Sequence, residues 1–389
     1  MYRIFYAEKD TTLYEKTPEQ NVGIDPILEL TKIPSSSRLN DVVQANTYNS
    51  RILIDFGNEI TTLSRAITDG TIPAIGSAQT SASVYISLRA SDASDLLRSY
   101  TIETYPISES WANGQGVFGD TPISRTGASW LYRSGDGSTL GAKQWDTGSA
   151  HSAGTSAGKL QPLGGGTWVT GSGYSGSTSF VNQSPDLRIE VSDIVNNWVS
   201  SSDSQITNNG FIIKRPYADE ISGETLGSLK FFGRESHTIY IPRLEVCWDD
   251  AEVLTTLSEI SSNTYVPYIK NIKSEYRKWE IANFRIGVRP EFPTKTFQTS
   301  SFYMTDERLP VSSSYSIIDS VTNETIIPFT EINNNFSNSK TKISSDGNGS
   351  YFKLRMDNFM PERYYKIMLK CERSIDVQTF DDFYFKVVN

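Results

Sequence analysis

Hydrophobic positions in residues 1–246 come in short runs, alternating or apolar, each bounded by Gly, Pro, Asn, Asp or Ser. Residues 2–14 read as strand with a turn at Glu8-Lys9-Asp10, and 27–30 as the next strand after the breaks at Gly23 and Pro26. The polar stretch 35–50 predicts a loop, and 52–56 a buried strand closed by Gly57. A helical period then sets in: Ile60, Leu63 and Ile67 share one face, Asn58 stands at an N-cap position, and Gly70 lies just past the end. Residues 84–88 and 101–107 predict strands, separated by a polar connection with a short helix at Asp95-Leu96-Leu97. Residues 186–191 form another strand, and Ser192 caps a helix that turns Ile194, Val195 and Trp198 inward. Strands at 211–214, 229–232 and 240–246 complete the set. Pieces this short cannot bury a face alone, so they predict a β-sandwich closed by long-range pairing.

Two stretches change the picture. Residues 113–184 are dominated by Gly, Ser and Thr around Gly164-Gly165-Gly166, yet hold Trp130, Trp145 and Trp168, which predicts ordered loops anchored by indoles. After a polar connector at 251–264, segments 281–288, 315–318, 351–356, 364–369 and 383–388 recur at spacings that suit a smaller, immunoglobulin-like sandwich. Phe359-Met360-Pro361-Glu362-Arg363-Tyr364-Tyr365 resembles the corner before a late strand of such domains, where a Tyr hydroxyl ties the turn to backbone. A chain of 389 residues also exceeds the size at which a single core keeps growing. The expected organisation is all-β: one sandwich over 1–250 carrying the insertion at 113–184, a linker at 251–264, and an immunoglobulin-like sandwich over 265–389.

Composition narrows the partners. Hydrophobic residues at 37%, charged at 21% and aromatic at 12% describe a globular chain with a real core. A net charge of -9 disfavours nucleic acid as a partner. Cys247 and Cys371, the only cysteines, supply neither a disulfide framework nor a metal cluster. The first ten residues become charged before a signal-peptide apolar region is complete, and no apolar run approaches the ~20 residues of a membrane helix. Synthesis and folding in the cytoplasm are expected.

The ordered segments Asp10 to Tyr14, Asn21 to Gly23, Ser50 to Phe56, Val84 to Leu88, Tyr105 to Trp111, Ser129-Trp130, Asp193 to Trp198, Asn209 to Lys214, Arg234-Glu235 and Pro242 to Val246 carry a resemblance. In that order they resemble the extracellular carbohydrate-binding modules of the DNRLRE type, family 96. The resemblance implies a jelly-roll sandwich used for adhesion or assembly. The long Gly/Ser insertion between Trp111 and Asp186 departs from the family, and no ligand set transfers with it. The whole chain, including its pattern after Tyr351, is also similar to unsignalled structural proteins of marine tailed bacteriophages. This second resemblance implies a non-enzymatic virion component of the neck, tail or baseplate, assembled with other virion proteins as a homo-oligomer or ring. The alternative is a lectin-like adhesin that grips a host or algal polysaccharide.

Candidate chemistry is sparse. Trp145, Trp168 and Tyr174 lie in glycine-rich loops where an exposed ring could stack on a sugar; equally, such rings pin a loop that lacks a core of its own. His151 and His237 have no partner fixed near them by sequence. Gly154-Thr155-Ser156-Ala157-Gly158-Lys159-Leu160 fails as a phosphate loop in both spacing and its final residue. The pairs Asp249-Asp250 and Asp381-Asp382 would point to opposite faces of a strand. A structural calcium is the one ion that loop carboxylates such as Asp120, Asp136 and Asp146 would suit, at a spacing that is not diagnostic. No catalytic residue, resident cofactor or metal cluster is expected. The sequons at Asn182, Asn323, Asn335 and Asn348 read as chance matches in an Asn/Ser/Thr-rich surface.

Overall fold

Phe211-Ile212-Ile213 has no alternating polar residue because its strand is buried on both faces, and it lies inside the largest sheet accordingly. A computed structural model describes residues 1–39, 42–76, 78, 81–136, 142–146, 164–200, 206–292, 307–329, 340–372 and 376–389. The chain forms two units, one of Phe5–Gly76 with Ser83–Glu245 and one of Met1–Ile4, Ser77–Ala82 and Val246–Asn389. It is an all-β protein of sandwich architecture, in which the described helices are short: Gly57–Thr68, Ser192–Val199 and Tyr217–Ile221.

In the jelly-roll-like part, a four-stranded sheet runs in the order Tyr2–Tyr6, Arg243–Cys247, Ser83–Leu88, Leu187–Glu190, so the first and last strands of the module are neighbours. The larger sheet runs Gly176–Val181, Ser99–Pro106, Phe211–Lys214, Val42–Asp55, Ile27–Leu39, Gly227–Phe232, Ala90–Ser94, and Lys9–Tyr14 also pairs with Val42–Asp55. The insertion contributes a small sheet of Lys143–Gln144, Tyr132–Asp136 and Thr126–Gly127.

Several local expectations are corrected. The stretch 35–50 is no loop but hairpin strand, in register from Lys32↔Asn49 to Leu39↔Val42. Backbone groups make such a ladder, so Ser, Asn and Gln can hold it without an apolar alternation to announce it. The connection after Leu88 forms the edge strand Ala90–Ser94, and Asp95, at φ 53°, leaves the helical region where a short helix was expected. Asn58 does not cap Gly57–Thr68; its own N–H donates to Glu8 Oε1 at 2.7 Å, so a distant carboxylate serves the helix start. Ser192 likewise lies inside its helix, where Oγ accepts from the Val84 N–H at 2.9 Å and donates to Glu190. The apolar faces behave as the period requires: Ile60, Leu63, Ile194, Val195 and Trp198 are buried.

The smaller unit has two sheets, Tyr265–Ile269, Ile281–Pro290, Gly349–Arg355, Ser344–Asp346 and Glu275–Arg277, Val377–Val388, Arg363–Glu372, Ser313–Asp319, Thr325–Ile327. This is the order of an immunoglobulin-like sandwich, with one short strand, Glu275–Arg277, pairing in parallel with Val377–Val388. Inward residues stack ring on ring: Phe284 on Phe352 at 5.1 Å and Phe352 on Tyr315 at 4.2 Å. Tyr365 donates its hydroxyl to the Met360 carbonyl at 3.0 Å, the corner its sequence predicts. Cys247 and Cys371 both fall in this unit, and both are buried.

Candidate functional site

Strand register places Leu13 opposite Arg51, Leu53 opposite Ile212, Ile212 opposite Tyr105 and Lys214 opposite Glu103. Period-2 alternation then puts these side chains on one face of the larger sheet, apolar towards one end and charged towards the other. The described part of the insertion folds down onto that face. Trp111, Trp130, Trp145 and Trp168, with Ala128 and Ile107, form one buried cluster with Leu13, Leu53 and Ile212.

Charge is buried beneath these indoles. Arg51, with its side chain 2% exposed, donates through Nε to Glu220 Oε1 at 2.9 Å and through Nη2 to Oε2 at 2.8 Å. Its Nη1 donates to the Gly165 carbonyl at 2.7 Å, and its guanidinium lies 4.9 Å from the Trp130 ring centroid and 5.2 Å from that of Trp168. Lys214 adds a second cation, 3.4 Å from Glu220 and 3.8 Å from Glu103. Burial pulls the Lys214 ammonium below the ordinary lysine range, with Arg51 acting in the same sense and Glu220 and Glu103 opposing it. Tyr105 donates to Glu103 at 3.0 Å, and burial with that carboxylate beside it pushes the phenol up to about 12.

The glycine triplet makes this closure sterically allowed. Gly165 sits at φ 85°, and a Cβ there would lie 2.5 Å from Arg51 Nη1 and 2.8 Å from the Trp130 ring. Asn21 ties the start of the insertion down, donating to the Asn113 and Ala128 carbonyls at 2.7 Å each and accepting from the N–H groups of Gly23 and Gly116. Trp145 donates its indole N–H to the Ser129 carbonyl at 2.9 Å.

The structure therefore brings two of the three proposed stacking residues together, Trp145 and Trp168, as core side chains 2% and 4% exposed. Tyr174 lies outside that cluster, half-buried beside Gly171. His237 occupies a left-handed turn at φ 52°, whereas His151 and residues 154–160 lie outside the described residues. Asp249 pairs with Lys342, Asp250 with the N-terminal amine and Asp381 with Lys366. Of the calcium candidates, Asp120 accepts from the Val117 N–H, and Asp146 donates its backbone N–H to Glu109 Oε2 at 2.9 Å. Among the described residues no three His, Cys, Asp or Glu side chains gather as a metal cluster, and no helix is long and apolar enough to cross a membrane.

What the sequence reading missed is the Arg51–Glu220–Lys214 network. Its members lie up to 169 residues apart, and the only local signal is a cation at the end of each apolar run, Arg51 before Ile-Leu-Ile and Lys214 after Phe-Ile-Ile. Among the described residues the most exposed rings are in the smaller unit, Trp279 at 79% and Phe292 at 78%, while Phe118 of the insertion is 56% exposed. Fold and site together define an all-β protein of two sandwich units, the larger with a loop-built aromatic core. Compared with family models, with curated proteins and with solved structures, the chain matches none.

Proposed function

We propose that the chain is a non-enzymatic structural component of a tailed-phage virion, part of the neck, tail or baseplate, which works by being held between neighbouring subunits. The observation that carries this reading is the burial of Trp145 and Trp168. Indoles spent on a core are not offered to a sugar, and the described loops around them present a surface suited to packing against another chain. Exposed Trp279 and Phe292 on the smaller unit support the same reading, because large aromatic side chains are enriched where protein surfaces meet. Virion association fits a chain with two cysteines, both buried, as well, since such a protein needs no oxidising compartment.

The adhesin alternative was built on the rings of Trp145, Trp168 and Tyr174, and the burial of the first two weakens its basis. The test is quantitative mass spectrometry of gradient-purified particles. The proposal expects this chain in a fixed ratio to the major tail or capsid protein through successive purifications. Loss of the chain during purification, or its absence from particles, would refute it.

A further inference from the structure

The outward face of the sheet Tyr265–Ile269, Ile281–Pro290, Gly349–Arg355, Ser344–Asp346 carries more cations than carboxylates among the described residues. Its cations are Lys270, Arg285, Arg289, Lys353 and Arg355; its carboxylates are Asp346, held by Arg285 at 2.5 Å, and Asp357 just beyond the sheet, held by Arg355 at 3.0 Å. At the margins Glu280 is taken by Lys273, and Glu291 follows the end of its strand. The opposite sheet differs: there Lys366, Lys370 and Lys386 each have a carboxylate, in Asp381, Glu372 and Glu362. The cation excess thus lies on one of this unit's two sheets, in a protein whose net charge is -9.

That face also carries an aromatic plate. Tyr268 pairs with Gly287, and a Cβ at 287 would lie 2.4 Å from Tyr268 Cζ and 2.6 Å from Oη. The ring therefore lies across the neighbouring strand, in the space the glycine leaves, and stays 43% exposed. The Lys270 stem runs beside it, its Cε 2.8 Å from the same point. One strand further on, the Arg285 guanidinium sits 4.7 Å from the Tyr351 ring centroid and is fixed in direction by Asp346.

We propose that this face binds a short acidic glycan, with a pyranose ring on Tyr268 and its carboxylate or sulfate groups on Arg289, Lys270 and Lys353. Charge complementarity selects an anion, and the recumbent ring selects a ligand with a flat C–H face. A nucleic-acid strand fits less well, since it calls for successive stacking rings and a strongly positive track, whereas this face offers one plate and a modest excess of charge. The site is independent of the virion role: a particle protein without sugar affinity would leave that role standing, and a sugar-binding chain absent from particles would leave this one.

Affinity electrophoresis of the full chain in gels containing polygalacturonate, neutral dextran or single-stranded oligothymidylate tests it. Retardation is expected with polygalacturonate alone, and should fade as salt rises from about 0.05 M to 0.5 M. Tyr268→Ala should weaken binding about tenfold, and so should the surface pair Arg289→Glu with Lys353→Glu, which keeps the sheet intact. Tyr364→Ala, on the other sheet, should change nothing. Absence of retardation by polygalacturonate, retardation that survives the Arg289/Lys353 reversal, or equal retardation by oligothymidylate would each overturn the assignment.

Discussion

The two aromatic cores of this molecule are built in opposite ways. In the smaller unit, Phe284, Phe352, Tyr315 and Phe385 come from strands, and the alternation of each strand aims its rings inward. Under the insertion, Trp111, Trp130, Trp145 and Trp168 come from segments with little regular structure, and they are aimed by hydrogen bonds, glycines and a buried Arg–Glu–Lys network. A strand-built core inherits its geometry from the ladder. A loop-built core needs polar ties, each of which is costly to break because it leaves its partner buried.

That contrast can be broken at several points. The largest effect is expected for Glu220→Ala, which strands Arg51 and Lys214 without their shared carboxylate and should cost about 3–5 kcal/mol in urea denaturation. Replacing Arg51, Lys214 and Glu220 together by Met, Met and Leu should cost less than that single change, since no uncompensated charge remains. Gly165→Ala should follow, at about 1–3 kcal/mol, because the added methyl meets Arg51 and Trp130 at a positive φ. In the strand-built core, Tyr365→Phe removes only the corner hydroxyl bond and should cost about 1 kcal/mol. Trp279→Ser, on the surface, should shift stability by less than about 0.5 kcal/mol.

The larger sandwich also carries a pH signature. Burial pushes the Asp10 carboxyl up to about 7, although the Arg234 N–H, 2.7 Å away, pulls it down. Its folded-state value lies above the unfolded one, near 3.8, so the native state holds the proton longer. Its contribution is complete below pH about 4 and lost as pH rises towards 7, with a slope of up to about 1.4 kcal/mol per pH unit. Glu245 runs the other way. Burial raises it, but Arg243 and Arg188 hold it below the usual range, so its contribution is lost as pH falls below about 4. Denaturation of Asp10→Asn between pH 4 and 7 should show a flatter profile than the parent, and an unchanged slope would show that Asp10 is ionised in the fold.

The same contrast explains what could be read from the sequence. The apolar strands of both sandwiches were legible, because alternation and short apolar runs are local, whereas short or polar strands such as Ala90–Ser94, Gly176–Val181, Glu275–Arg277 and Ser344–Asp346 were not; Tyr365 was legible because its corner partner, Met360, is five residues away. The hairpin through 35–50 was hidden because its ladder is made by backbone between polar residues. The insertion showed its glycines and indoles but not their target, since Arg51 meets Gly165 across 114 residues and Glu220 across 169. Trp145 and Trp168 carry the same local sequence whether they stack on a ligand or on a core, and only the sheet face beneath them decides.

The central claim is that the described indoles of the insertion form a folded core and not a ring-lined groove, and tryptophan oxidation footprinting with peptide-level mass spectrometry tests it most directly. Six of the seven tryptophans are buried and Trp279 is exposed. Under native conditions Trp279 should oxidise first, while Trp130, Trp145 and Trp168 stay intact until denaturant opens the fold. Oxidation of Trp145 and Trp168 at the rate of Trp279 in the native protein would contradict the account.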